Sequence, residues 1–177
     1  MTLQKIENGI FIQDTILDKI KKIDAIIFDC DGVLIDITTS YDLAIKNVTE
    51  YFLKEFGIES SLPITPDIIE GFKSTGGFND EVDVTYASIL SLVSANRMKI
   101  PEKKFIFDVI NNADQTGIKS IEKYITTLPV DISAIIKKLD YPGSHNTNLL
   151  YLVFDQVFYG PELYYKLFKK QSKFSGQ

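Results

Sequence analysis

The chain has 177 residues, of which 45% are hydrophobic and 12% aromatic, enough for one large domain, or one domain carrying an insertion, folded around a core. A net charge of −5, with Arg97 the single arginine beside many lysines, argues against general nucleic-acid binding, which asks for a basic face. One cysteine and one histidine exclude a disulfide framework and a zinc cluster, no apolar stretch reaches membrane-spanning length, and the first residues lack a signal-peptide core, so the expectation is a soluble cytoplasmic protein with no nucleic-acid or membrane partner.

In chain order, Gly9 to Ile12 reads as a short extended piece. Asp14 is suited to cap a short amphipathic helix carrying Ile16, Leu17, Ile20 and Ile23 at helical spacing. The stretch from Asp24 to Phe28 is short, apolar and rich in β-branched residues, the pattern of a buried strand covered on both faces. It ends in Asp29-Cys30-Asp31-Gly32. Ligands of open α/β sheets gather beyond the carboxyl ends of such strands. Residues i and i+2 of an extended segment share a face, so Asp29 and Asp31 would lean toward one site. One carboxylate there can attack an electrophile such as phosphorus while the other moves a proton, and a hard cation such as Mg²⁺ would relieve their repulsion. Gly32 lets the backbone leave at a tight angle. The plainer reading of any Asp-x-Asp is a solvated turn. Cys30 reads as a small buried side chain facing the sheet interior.

A Thr38-Thr39-Ser40 cluster suits a helix start. Leu43 through Phe56 repeat at three- and four-residue steps as far as Gly57. Pro66 fits the first turn of a second helix carrying Ile68, Ile69 and Phe72, and Asn79 or Asp80 would cap a third running to about Lys99. Between them, Lys73 to Asp80 forms a loop in which Gly76 and Gly77 free the backbone, Lys73 adds positive charge and Asn79 an amide. It reads either as a substrate-contacting loop or as a plain helix–helix turn. Further helices follow over Lys103–Asn111, Ile118–Leu128 and from Asp131 to Leu139. A Tyr141–Ser144 loop leads to an apolar helix opened by Asn146 or Thr147. Gly160-Pro161 breaks it, and a last helix over Glu162–Lys170 precedes a polar tail. His145 reads as a solvent-exposed loop residue.

The string of four apolar residues, Asp29, x, Asp31, Gly32, Val33, Leu34, x, Asp36 resembles the first motif of the haloacid dehalogenase superfamily in its phosphatase-type members. The resemblance implies that Asp29 is the nucleophile forming an aspartyl-phosphate. It implies that Asp31 is the general acid/base, its carbonyl helping to hold Mg²⁺ together with the two carboxylates, and that Val33 and Leu34 belong to a turn-and-flap element. Asp36 would serve local structure. It also implies an α/β, Rossmann-like core into which a helical cap is inserted directly after the first motif. The chain is accordingly divided into residues 1–37 as the N-terminal part of the core, 38–158 as the cap and 159–177 as a return segment. In members with such a cap, a loop between its early helices reaches over the site and selects substrates, and Lys73-x-x-Gly76-Gly77-Phe78-Asn79 is similar to a string in some members; the partner expected for this chain is a small phosphorylated metabolite. The family's later elements are a strand ending in Ser or Thr, a following Lys or Arg, and a Gly-Asp motif. None is found after the helical region, so the chain is expected to be mostly α, with few core strands, and to be inactive by itself. A homodimer, or a second chain completing the core, would cover the orphan strand. The competing expectations are a non-catalytic helical binding protein that keeps the motif as scaffold, or a truncated fragment of such an enzyme.

Overall fold

A computed structural model describes residues 3–174, with the side chains of Asp14, Leu17 and Thr38 outside the description. The expected capping role of Asp14 and the end of the polar tail (175–177) therefore fall outside the described residues. The chain forms two compact units, one up to Ile37 and one from Thr38 onward. The secondary structure is mostly helical, with one two-stranded sheet among the described residues.

The first unit opens with an antiparallel hairpin of β1 (Leu3–Glu7) and β2 (Ile10–Gln13), with Leu3 opposite Gln13 and a register irregularity between Lys5 and Glu7. The hairpin turns through Gly9, whose φ of +82° is one that favours glycine. A 3₁₀ turn (Asp14–Ile16) leads into α1 (Leu17–Ile20). The expected strand from Asp24 to Phe28 is not formed. The segment is irregular, and Ile26, Ile27 and Phe28 are 71%, 97% and 61% exposed. A strand needs neighbours for its backbone hydrogen bonds and cover for both faces, and no described segment of the first unit supplies either.

The second unit carries the hydrophobic core. Its helices are α2 (Thr38–Glu55), α3 (Pro66–Ser74), α4 (Glu81–Met98), α5 (Glu102–Asn111), α6 (Ile118–Thr126), α7 (Ser133–Leu139) and α8 (Leu149–Phe168). Central α4 contacts α2, α3, α5, α6 and α8, and its residues from Val82 to Ala95 are almost all buried, as in a helix enclosed on every side. Small residues, Ala87, Ser88, Ser91 and Ala95, make that enclosure possible. Thr85 and Ser91 return their hydroxyls to the carbonyls of Glu81 and Ala87, whereas the buried hydroxyls of Ser88 and Ser94 find no partner.

Helix ends follow the local chemistry. The N–H of Gly57 bonds the Lys54 carbonyl, and that of Ile58 bonds Leu53, both at 2.9 Å, closing α2 through a glycine at φ +79°. The Asp80 carboxylate accepts the Val82 N–H at 2.8 Å and starts α4. Asp131 accepts the Ser133 N–H at 2.9 Å before α7. The helix expected to begin at Asn146 or Thr147 is capped instead by Asn148. Its side-chain oxygen accepts from Leu150 and Tyr151, while its amide nitrogen donates to the carbonyls of Leu139 and Asp140. Helix α8 breaks at Gly160 (φ 66°, ψ 169°), with Pro161 opening the second segment. Among the described residues no helix is long and apolar enough to cross a membrane.

Candidate functional site

Asp29 and Asp31 belong to one tight turn in the first unit. The Cys30 carbonyl accepts the N–H groups of Leu34 (2.9 Å) and Ile35 (3.0 Å), while the Gly32 N–H returns to the Ile35 carbonyl at 2.9 Å. An isolated bridge links Asp31 with Ile35. This crossed pattern requires the backbone to reverse at Gly32, where φ is +74°, a value that would strain a side-chain-bearing residue. The Asp29 Oδ1 accepts the Cys30 N–H at 2.8 Å, which orients that carboxylate while leaving it in solvent. Asp31 is exposed as well. Cys30 is exposed, not buried as expected, because among the described residues no sheet forms at this segment to cover it.

The donor chemistry here is two solvent-facing carboxylates and peptide carbonyls. Among the described residues no group of three His, Cys, Asp or Glu side chains converges. Mg²⁺ commonly binds through one or two carboxylates and takes its remaining oxygens from water and substrate phosphate, so an all-protein cage is not required of such a pair.

Lys73, Gly76, Gly77 and Asn79 share one loop in the second unit, between α3 and α4. The Lys73 ammonium is not presented to solvent alone: it pairs with Glu81 Oε1 at 3.1 Å. Gly76 has a φ of +80°. Gly77 lies against the Asp114–Gly117 turn so closely that a Cβ would fall 2.4 Å from the Asp114 carbonyl oxygen and 2.6 Å from the Gly117 nitrogen. Phe78 is fully buried and packs on Phe72, with 5.2 Å between ring centroids, while Asn79 is exposed. The facing turn is held by Asp114, which accepts both the N–H (2.8 Å) and the hydroxyl (2.6 Å) of Thr116. Those bonds, the hydroxyl's first, keep its carboxyl below the usual range. Backbone geometry and loop-to-loop packing therefore account for both glycines without a ligand.

Sequence reasoning missed a polar–aromatic row in the helical unit. The Tyr141 hydroxyl donates to Asp83 Oδ1 at 2.6 Å, and the Tyr86 hydroxyl donates to Glu122 at 2.6 Å. The rings of Tyr86, Tyr141, Tyr151 and His145 follow one another at 5.0, 5.3 and 4.6 Å. His145 is an exposed loop residue, as expected, and it also has a charged neighbour. Its Nε2 lies 3.6 Å from Asp155 Oδ2, which reaches it from α8. Burial pushes the carboxyls of Asp83 and Asp155 upward, and burial with the neighbouring carboxylate pushes the Tyr141 phenol far up. The pairs span 10 to 58 residues of sequence, and no local pattern announces them.

Two recesses flank Leu43 on α2. One, of about 570 Å³, lies between the first turns of α2 and the Gly160 break and is bordered by Asn47, Phe158 and Lys166. The other, of about 540 Å³, is walled by Pro63, Ile64, Pro66 and Ile69. Both fall in the size range of small-molecule sites. No protein-family model, no curated protein and no solved structure matches the chain.

Proposed function

We propose that the Asp29–Asp31 turn is the nucleophile-bearing element of a phosphomonoester hydrolase of the haloacid dehalogenase type, acting on a small phosphorylated metabolite. The observation that carries this reading is the Asp29–Ile35 turn: two solvent-facing carboxylates one residue apart, on a backbone reversed at Gly32 and locked by paired bonds to the Cys30 carbonyl. An oxygen of the Asp29 carboxylate attacks phosphorus, and the bond to the leaving oxygen breaks. Asp31 gives that oxygen its proton. Asp31 then takes a proton from water, whose oxygen attacks the aspartyl-phosphate and releases inorganic phosphate and free Asp29. Mg²⁺ held by Asp29 and Asp31 would supply the positive charge that lets a phosphate dianion approach two carboxylates.

Phosphoryl transfer depends chiefly on positioning and charge neutralisation. The described unit offers the turn no cationic side chain by hydrogen bond or ion pair, so turnover by this chain alone is expected to be slow. Losing one such electrostatic contribution commonly costs about 3 kcal/mol. The test is hydrolysis of p-nitrophenyl phosphate with Mg²⁺, following both the first turnover and the steady state. A stoichiometric burst that disappears in Asp29→Asn, and that persists without turnover in Asp31→Asn, is expected. Release of p-nitrophenol that is unchanged in Asp29→Asn, or the absence of any burst, overturns the assignment.

A second reading, a non-catalytic helical binding protein, is favoured by one observation. The helical unit holds the core and carries an apolar-walled recess of about 540 Å³ beside Pro63 and Ile69. Burst kinetics separate the two readings.

A further inference from the structure

Within the first unit, none of the described residues is buried, and thirteen large apolar side chains between Leu3 and Ile35 are each more than a third exposed. Weighted by those exposures, they present on the order of 1,000 Å² of apolar surface in total, more than one partner's roughly 800 Å² share of a standard interface. The backbone from Asp24 to Phe28 is irregular and belongs to no ladder, which leaves N–H and C=O groups available to another chain. A hairpin of two short strands is not stable by itself in water.

The geometry points to self-association: the first unit is a dimerisation surface whose occupant is the same unit of a second copy of this chain, with the Ile26–Phe28 and Val33–Ile35 segments at its centre. A two-fold arrangement apposes two identical apolar faces, so each copy supplies the cover the other lacks. Covering most of that surface on both copies would reach the roughly 1,600 Å² of a standard interface. An edge segment meeting its own copy about a two-fold axis also pairs antiparallel, which satisfies the open backbone groups. Charge works against the contact. The first 37 residues hold four lysines against seven carboxylates, so the apposed units repel and the association should tighten as salt screens them. This inference does not rest on the phosphatase reading, since it concerns the apolar side chains and not the reactivity of Asp29.

Sedimentation velocity on the full chain over about 1–100 μM tests it. The expected result is a species of twice the 20.0 kDa chain mass. Its dissociation constant should fall at least ~3-fold between about 20 mM and about 500 mM NaCl. Ile27→Asp, at a position 97% exposed, and Leu34→Asp, at one 64% exposed, should each give a monomer with unchanged helical circular dichroism. Leu167→Asp, on the exposed side of the last helical segment, should remain a dimer. A monomer at 100 μM overturns the proposal in favour of a different polypeptide as the cover. So does a dimer that survives both first-unit substitutions or is lost in Leu167→Asp. Asp29→Asn should leave the mass unchanged while changing the burst kinetics, so the two proposals fail separately.

Discussion

Replacing Gly77 by alanine distinguishes a loop shaped for packing from one shaped for a ligand. The added Cβ meets three backbone atoms of the facing turn, at 2.4 Å (Asp114 O), 2.6 Å (Gly117 N) and 2.8 Å (Gly117 Cα). All three are main-chain atoms, so no rotamer change relieves the overlap. Ordinary contact lies near 3.4 Å, and the two loops must separate by close to 1 Å. Separation breaks into the Asp114–Gly117 turn, whose 3.0 Å bond from the Gly117 N–H to the Asp114 carbonyl precedes α6. Overpacking of this kind costs about 1–3 kcal/mol, and a weakened hydrogen bond about 1 kcal/mol more. The expected loss is therefore roughly 2–4 kcal/mol, which at an m-value of about 2 kcal/mol/M moves the urea midpoint down by about 1–2 M. Circular dichroism at 222 nm reports the helical unit in such a titration. Gly76→Ala, whose Cβ meets only a flexible glutamine side chain at 3.7 Å but whose φ is +80°, should lose a smaller ~1–2 kcal/mol. A Gly77→Ala protein with the wild-type midpoint would refute the packing account and return the loop to a ligand-binding role.

Other outcomes follow from the same structure. Asn148→Ala removes the cap of α8 and two bonds to the end of α7, and should destabilise by roughly 2–3 kcal/mol in the same urea assay. Ser94→Ala removes a buried hydroxyl that has no partner, and should raise stability by up to ~1 kcal/mol. A loss would mean that the hydroxyl is satisfied in solution. Burial raises the carboxyl pKa of Asp155 above its unfolded value, with the His145 imidazole opposing. The associated stability is thus complete below the ordinary carboxylate range and is lost as pH rises through the raised value. Stability measured from pH 3.5 upward should shift in favour of Asp155→Asn relative to wild type. A pH-independent difference between the two would refute the assignment.

The helical half of the molecule was legible because its signals are local. Period-3.6 stripes gave α2, α3, α5 and α6, Pro66 marked a first turn, and Gly57 marked a stop. The central position of α4 was not legible, because a helix buried on every side has no stripe to read. Its burial follows from five neighbours instead. The cap of α8 was placed one or two residues early. Asn146, Thr147 and Asn148 are equivalent as local caps, and what selects Asn148 is its amide bonding back to Leu139 and Asp140. Ala25–Phe28 shows the opposite failure. Its composition describes a surface to be covered but supplies no cover, and strand formation depends on segments distant in sequence. At the candidate site, the sharp turn at Gly32 was readable from the glycine. The exposure of Cys30 was not, since it depends on the same missing cover. In the Gly76-Gly77 loop, sequence displayed the freedom of the backbone, but its use is set by a turn nearly 40 residues away.

The enclosure of α4 also bears on how the helical unit opens. Amides along Val82–Ala95 are shielded by five other helices, so hydrogen exchange there should require disassembly of the whole unit and report its global stability. The α8 segment after Gly160 has its own break from the preceding turns, and Leu163, Tyr165 and Leu167 face solvent. Only Tyr164 is buried within it. Its amides should exchange by local opening at lower free energy. The unit is in this sense one cooperative body with a separately melting end, and the Gly160–Pro161 step marks where cooperativity stops.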